Sequence, residues 1–313
     1  RLHMIPATST PPEDQATPHR PPRYRRLKNL GMVAGVLLLV AAVITVLRQT
    51  DTIDAARNAV RAMPAPQLAM HVTVLVASVA LNIILTGATF SLLISRYGHV
   101  GRMEMQALIA SATLLNYIPL RPGLFGRLAY HRAYNNIPLT NSVKTVLQAA
   151  LISAIVSGYV VVGSMIAAKG WGEIRTLVFA PFPALLVTAA FWAAARIWLL
   201  AGCVRLMELL LIAARYHAAF AIIGSPIDTA TATTLACVNM IASMVPFLSN
   251  GLGLREWAVG LLAPLLAACD MTQAMTADLV NRSAELVVVT IAGLAGIGWL
   301  MQHRRKSKEN QVG

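Results

Sequence analysis

The chain has 313 residues, of which 57% are hydrophobic and only 12% are charged, and its mean hydropathy is +0.63. A soluble domain usually carries about twice that charged fraction, so the composition excludes an ordinary soluble protein and indicates an integral membrane protein. The net charge of +13 is concentrated at the two ends of the chain. No aromatic or motif feature accompanies it, so we expect no nucleic-acid partner.

Long apolar runs recur along the chain and predict membrane-spanning helices. Runs near or above 18 residues are long enough to cross a bilayer core of about 30 Å. Because they are long rather than short and alternating, we predict an all-α polytopic helical bundle with six full spans and not a β-barrel. The predicted spans cover residues 30–47, 68–95, 143–168, 177–196, 198–221 and 276–299.

Two boundaries leave alternatives open. Residues 177–215 are almost continuously apolar, so one long bent helix is an alternative to a break near Arg196. The first apolar run follows basic residues and resembles a secretory signal, but its length favours an uncleaved helix. Between the first two spans, residues 51–63 place Ile53, Ala56, Val60 and Met63 on one face, as in a helix that lies on the membrane surface.

The chain ends indicate the orientation. Residues 1–28 are rich in Pro, Thr and basic residues and are predicted to be a disordered cytoplasmic tail. Residues 29–300 form the membrane domain, and residues 301–313 a second basic tail. Juxtamembrane Lys and Arg are retained on the cytoplasmic side, so we predict an inner-membrane protein with both termini cytoplasmic.

Catalytic and metal-binding motifs are not found in the sequence. Its three cysteines, Cys203, Cys237 and Cys269, share no metal spacing, and its seven histidines form no HxxxH or HExxH pattern. There is no Walker loop, GxSxG or dinucleotide-binding GxGxxG. We therefore predict no metal, no cofactor and no catalytic residue.

Two apolar segments, residues 104–132 and 229–268, are interrupted in the same way. "NYIPLRPGLFGRLAYHR" in the first and "SMVPFLSNGLGLREWAVGLL" in the second each contain a Pro, a Gly-rich turn, an Arg and a new helix. We interpret both as re-entrant helical hairpins, with two full crossings as the alternative for each. The predicted helix-break and turn residues are Pro119, Pro122, Gly123, Gly126, Pro246, Gly251 and Gly253.

The order span, broken segment, span occurs at residues 68–168 and again at 198–299, which predicts an internal duplication. Counted from a cytoplasmic N-terminus, the first hairpin enters from the cytoplasmic side and the second from the outer side. This is an inverted repeat. Broken helices at matching places in two halves point to a transporter-type binding site.

The breaks combine free backbone amides, helix N-termini and arginines, which together favour anions. The planar fork of Arg suits a phosphate, so we predict a lipid headgroup site. Its candidate residues are Arg121, Arg127, Arg255, Arg282, Glu256, Asn116 and Asn250. The second hairpin, with Arg255 and Arg282 in apolar surroundings, is the stronger candidate for the working site.

Several of these residues also have a structural interpretation. Arg121 and Arg127 are alternatively topology anchors at the cytoplasmic interface. Asn116 and Asn250 alternatively satisfy backbone groups that the breaks leave free.

Two pairs at helical spacing have a structural interpretation as well. Arg282 and Glu285 alternatively form an ion pair along one helix face, as do Arg205 and Glu208.

The motifs of the second half resemble the lysylphosphatidylglycerol synthase transmembrane family, often described as flippase-like. The matching residues are Pro246, Gly251, Gly253, Arg255, Glu256 and Arg282. The first half departs from the family pattern at two places. Gly123 is followed by Leu124, where the family commonly has Glu. In the next span, Gln148 and Ala149 stand where the family usually has Glu-Arg. The resemblance implies a helical bundle with two re-entrant elements. It also implies a role in moving or presenting lipids, without the aminoacyltransferase domain of bifunctional relatives.

We therefore expect a translocator for a phosphate-bearing or polyprenyl-linked lipid, with anionic membrane lipids as its partners. The alternatives are an accessory subunit that presents lipid to a cytoplasmic transferase, a membrane-embedded transferase, and a structural scaffold.

Overall fold

The structure is a computed structural model. It describes residues 37, 40–41, 43–48, 50–118, 121–168, 181–192, 195–244, 251, 253–266 and 269–312. Helices make up 88% of these residues, which include no strand, so the predicted all-α fold class is confirmed. Pro119, Pro246 and Asn250 of the predicted site, and residues 1–36, lie outside the described part.

The helices whose bounds the structure describes are numbered here in chain order. They are α1 (Thr50–Ala62), α2 (Ala65–Ile94), α3 (Arg102–Leu115), α4 (Pro122–Tyr134), α5 (Leu139–Ala168), α6 (Pro181–Phe191), α7 (Arg196–Ile222), α8 (Thr229–Met244), α9 (Leu254–Leu266) and α10 (Met271–Val312).

Four of these helices, α2, α5, α7 and α10, are long and apolar enough to cross a membrane. They coincide with four of the predicted spans, at residues 68–95, 143–168, 198–221 and 276–299. The predicted spans at 30–47 and 177–196 fall partly outside the described residues. α6 and α7 are separate helices, because one ends at Phe191 and the next begins at Arg196.

The helices of the two broken segments are shorter. α3, α4, α8 and α9 have 14, 13, 16 and 13 residues, fewer than the roughly 20 that a full crossing needs. α3 packs on α4, and α8 packs on α9. Each segment is therefore a pair of short helices that contact one another.

The first break is shorter than the sequence pattern predicts. Arg121 has a left-handed backbone with φ of 49°, and Pro122 directly after it occupies the first turn of α4. Pro is well tolerated there because its missing N–H would have no helical partner. Gly123 and Gly126 therefore lie inside α4 and not in the turn. In the second break, Gly251 and Gly253 do have positive φ, of 70° and 79°.

Helix packing follows a regular pattern across the two halves. If α2, α3, α4 and α5 are exchanged with α7, α8, α9 and α10 respectively, the set of packed pairs is unchanged. The α2–α7 pair maps onto itself under this exchange. Each of the other packed pairs maps onto a second packed pair: α3–α10 onto α5–α8, α2–α3 onto α7–α8, α4–α5 onto α9–α10, α3–α4 onto α8–α9, α2–α10 onto α5–α7, and α2–α5 onto α7–α10. The two halves therefore pack as two-fold equivalents.

Small residues allow the closest of these contacts. A Cβ on Gly296 of α10 would lie 2.6 Å from the carbonyl oxygen of Ala107 in α3, and one on Gly293 would lie 2.4 Å from the Leu114 side chain. In a membrane the hydrophobic effect does not drive helices together, because the surrounding lipid is as apolar as the side chains. Helix association then depends on close packing, which small residues at the interface allow.

The peripheral elements agree in part with the sequence. α1 covers the predicted surface helix, and Ala56 and Val60 of its apolar face pack against the core. α10 continues to Val312, so residues 301–312 of the predicted basic tail extend the last helix.

Candidate functional site

A cavity of about 320 Å³ lies between α2, α3, α5, α7, α8 and α10. Both halves of the chain contribute to it. Its charged and amide side chains are Arg121, Arg205, Arg215, Glu208, Glu285, Asn82, Asn116 and Asn239. Apolar side chains, including Phe90, Val146, Ile212 and Met240, also line it, so its lining is amphipathic.

One ionic contact of the cavity lies within α7. Arg205 forms a salt bridge with Glu208 three residues later, which confirms the ion pair predicted from their spacing. Thr89 of α2 donates from its hydroxyl to Glu208 Oε1 over 3.3 Å, and the Asn82 amide donates to the Glu208 carbonyl oxygen over 3.3 Å. This pair therefore also joins α7 to α2.

A larger ionic cluster surrounds Glu285 of α10. Arg215 donates to Glu285 Oε2 over 2.7 Å and to Asn281 Oδ1 over 2.8 Å. Arg255 donates to the same Glu285 oxygen over 2.9 Å and to Asp278 Oδ2 over 3.1 Å. The cluster joins α7, the start of α9 and the first third of α10.

Further contacts extend this cluster. The Tyr216 hydroxyl donates to Asp278 Oδ1 over 2.9 Å, and the Tyr117 hydroxyl donates to Glu285 Oε1 over 2.5 Å. The guanidinium of Arg282 lies 4.8 Å from the centre of the Tyr117 ring, and its Nε is 3.9 Å from Glu256 Oε1. A fully buried carboxylate, that of Glu256, thus faces a buried arginine.

Three arginines (Arg215, Arg255 and Arg282) and three acids (Glu256, Asp278 and Glu285) make this cluster formally neutral. Arg255 and Arg282 were expected to hold a headgroup, but they are only 2% and 4% exposed and face acids of the protein. Neither lines the cavity, whereas Arg215 and Glu285 do. The structure therefore gives the second hairpin less free positive charge than its sequence indicates.

Arg121 and Asn116 of the first break do line the cavity. Arg121 donates from Nη2 to the carbonyl oxygen of Ser243 in α8 over 2.7 Å, which connects the first hairpin to the second. Asn116 Oδ1 accepts from the Leu124 amide over 3.0 Å. The same amide also donates to the Arg121 carbonyl oxygen over 3.0 Å. Asn116 thus helps to satisfy the backbone in the first turn of α4, in agreement with its structural interpretation.

Arg127 is buried, with 7% of its surface exposed, which does not fit a surface anchor. Its guanidinium lies over the Phe90 ring, 3.7 Å from the ring centre. The structure records no hydrogen bond or ion pair for it among the described residues. The Arg205 guanidinium lies 5.7 Å from the centre of the same ring, so a second cation stands close to Arg127.

The sequence pairing of Arg127 with Arg255 is not a structural equivalence. Arg127 is the sixth residue of α4, whereas Arg255 is the second residue of α9. Arg121, directly before α4, is closer to Arg255 in its position relative to the helix start.

Sequence reasoning missed several members of the site. Arg215, Asp278, Asn281, Asn239 and Tyr216 were not singled out. A usable signal was present for Arg215 and Asp278, because charged residues inside apolar helices usually face a bundle interior. Asn and Tyr are common residue types in such helices. Only their contacts in the folded structure therefore distinguish Asn239, Asn281 and Tyr216 from other polar positions.

Metal ligands do not cluster in the described part of the chain, where no group of three or more His, Cys, Asp or Glu side chains is placed to hold an ion.

The fold and the site define the chain as an all-α membrane protein with a charged central cavity. No protein-family model matches the chain, and no curated protein or solved structure matches it significantly. The resemblance to the lysylphosphatidylglycerol synthase transmembrane family therefore stays a prediction from the sequence motifs.

Proposed function

We propose that this protein translocates an anionic, phosphate-bearing lipid across the cell inner membrane. The observation that carries the proposal is the amphipathic cavity, to which both halves of the chain contribute charged and apolar side chains. Its volume lies at the lower end of the range of about 300–1,000 Å³ typical of ligand sites, which suits a headgroup and not a whole lipid.

The charge of the cavity lining favours an anion. Three arginines, Arg121, Arg205 and Arg215, stand against two acids, Glu208 and Glu285, which leaves a formal charge of +1. Guanidinium groups bind phosphate with paired, charge-assisted hydrogen bonds. Such charges in a membrane protein are costly and usually mark a substrate path.

The ends of the short helices support transport more than simple binding. Asn116, Arg121 and Ser243 lie where α3, α4 and α8 begin or end, and all three line the cavity. In the proposed topology both hairpins are re-entrant and enter from opposite faces. Six full spans then complete the bundle and leave both termini cytoplasmic. Movement of either hairpin would open the cavity to one leaflet, as in transporters built from inverted repeats.

Transport is tested in proteoliposomes that carry a fluorescent lipid in one leaflet. The lipids are phosphatidylglycerol, a polyprenyl phosphate and zwitterionic phosphatidylcholine. We expect the wild-type protein to accelerate the movement of an anionic lipid over protein-free vesicles. Arg121→Gln should slow it about tenfold or more, the loss expected for one charge-assisted contact.

The matched control is Arg132→Gln, because Arg132 is exposed and belongs to the same hairpin. It should move lipid at the wild-type rate. If the wild-type protein moves none of the lipids faster than empty vesicles, translocation is wrong. If Arg121→Gln moves lipid as fast as wild type, the cavity is not the path.

A further inference from the structure

We infer that Arg127 and Phe90 form a second anion site, next to the cavity, that binds a phosphodiester group. Arg127 belongs to α4, and its guanidinium lies against the ring of Phe90 from α2. The site deepens the proposed function and rests on it for the origin of the ligand, because the phosphate would belong to the same lipid. Its binding test needs no transport.

The first argument is the missing counter-charge. A deeply buried arginine normally pairs with an acid, because a buried charge without compensation is energetically costly. Arg127 is 7% exposed, and the structure gives it no ion pair or hydrogen bond among the described residues. A bound anion would remove this cost.

The second argument is that the nearby acids are already engaged. Glu208 accepts from Arg205 and Thr89, and Glu104 accepts from the Asn135 amide over 3.1 Å. The other ionisable neighbours of Arg127 are Arg205, which is a second cation, and His131, and neither can act as its counter-ion. Its counter-ion must therefore come from outside the described residues.

The third argument is geometric. The guanidinium carbon lies over the Phe90 ring at 3.7 Å from its centre. A guanidinium stacked on a ring in this way can still direct its in-plane N–H groups at a bidentate oxyanion. The Arg205 guanidinium lies 5.7 Å from the centre of the same ring. Phe90 also lines the cavity, so one aromatic ring links the Arg127 site to the proposed path.

The local charge indicates the class of anion. Arg127, Arg205 and Glu208 together carry a formal charge of +1. A phosphodiester, which carries a single negative charge, neutralises them. A lipid such as phosphatidylglycerol has this chemistry and a net charge of −1, whereas phosphatidylcholine cancels its phosphodiester with a cation.

The test measures binding to the purified full chain in neutral detergent. The probes are short-chain phosphatidylglycerol, short-chain phosphatidylcholine and inorganic phosphate, and the readouts are the affinity and the shift in melting temperature. We expect phosphatidylglycerol to bind and to raise the melting temperature of the wild-type protein. Arg127→Met should weaken this binding roughly 10-fold to 100-fold, as expected for a charge-assisted bidentate contact.

The variants separate an anion site from a structural cation. Without ligand, Arg127→Met should melt no lower than wild type, because it keeps the apolar stem and removes an uncompensated charge. A purely structural stack on Phe90 predicts the opposite. Arg132→Met, an exposed position on the same helix, should leave binding unchanged. If Arg127→Met does not fold, Arg127→Lys keeps the charge without the planar fork and should still bind several-fold more weakly.

The probes identify the source of the phosphate. Binding of phosphatidylglycerol but not inorganic phosphate, lost in Arg127→Met, supports a lipid subsite. Equal binding of inorganic phosphate, also lost in the variant, supports a free-anion site. No binding of either probe, or equal binding by wild type and both Arg127 variants, overturns the inference. Loss of binding in Arg127→Met in a protein that moves no lipid would support the site and refute the transport proposal alone.

Discussion

At the scale of single residues, Glu285 organises the buried charges. Its carboxylate accepts from Arg215, Arg255 and Tyr117, which come from α7, from α9 and from the residues after α3. The sequence offered only Arg282 as its partner, three residues away. Burying so many charges costs free energy unless each is paired, and Glu285 provides that pairing for two arginines.

Glu285→Gln should therefore destabilise the protein strongly. The amide keeps the shape but leaves Arg215 and Arg255 without part of their compensation. Breaking a buried pair from one side costs about 3–5 kcal/mol. The measurement is thermal unfolding in detergent. The control is Asp54→Asn, at an exposed position in α1, which should melt at the wild-type temperature. If Glu285→Gln also melts at the wild-type temperature, the Glu285 carboxylate does not have the role given to it here.

At the scale of elements, the first hairpin depends on one close approach. A Cβ on Gly123 would lie 2.0 Å from the carbonyl oxygen of Ala112, so α3 and α4 can pack as they do only with glycine there. Gly126, one turn further along α4, has no atom within 4 Å of such a Cβ. The two glycines look alike in the sequence, but only the first is required by packing.

Gly123→Ala and Gly126→Ala should therefore change the stability of the protein in opposite directions. The first forces α4 away from the α3 backbone and should lower stability by about 1–3 kcal/mol or more. The second adds a better helix former and should leave stability unchanged or raise it by up to about 1 kcal/mol. Parallel melting curves of the two variants check this, and equal destabilisation by both would argue against the contact with Ala112.

At the scale of the whole molecule, the two halves pack as equivalents. The set of contacting helices is preserved when α2–α5 are exchanged with α7–α10. Their charges are not equivalent. The second half contributes most of the neutral cluster around Glu285, whereas Arg127 in the first half pairs with no acid among the described residues. The proposed inverted topology places the two hairpins on opposite faces of the membrane.

Cysteine labelling with an impermeant maleimide tests this topology. His99→Cys and Ala133→Cys, in a Cys269→Ser background, flank the first hairpin and should react only from the cytoplasmic side. Native Cys269 and Pro226→Cys flank the second hairpin and should react only from the outside.

The turn of the first hairpin separates re-entry from crossing. Ile118 is 51% exposed and lies in that turn. If α3 and α4 cross the membrane fully, Ile118→Cys reacts from the outer face, and the re-entrant topology is wrong. Reaction of all flanking positions from one side would instead contradict the inverted repeat.

The sequence predicts features that depend on neighbouring residues better than contacts between residues far apart in the chain. Hydropathy, proline and glycine act locally. The sequence by itself therefore determined the membrane class, the four described helices that are long enough to cross a membrane, and the interruption of the two short segments. It also found the Arg205–Glu208 pair, since three residues on a helix place both on one face.

Only the tertiary structure decided which charges are compensated. Arg215 and Glu285 are 70 residues apart in the chain, and Arg215 and Asn281 are 66 apart. No periodicity links such positions, because their contact depends on how α7 and α10 pack. For the same reason the sequence favoured Arg255 and Arg282 as headgroup ligands, because the acids that pair with them come into contact only in the folded bundle. The sequence could not show that Arg127 is buried against Phe90, or that no acid in the described part of the chain pairs with it.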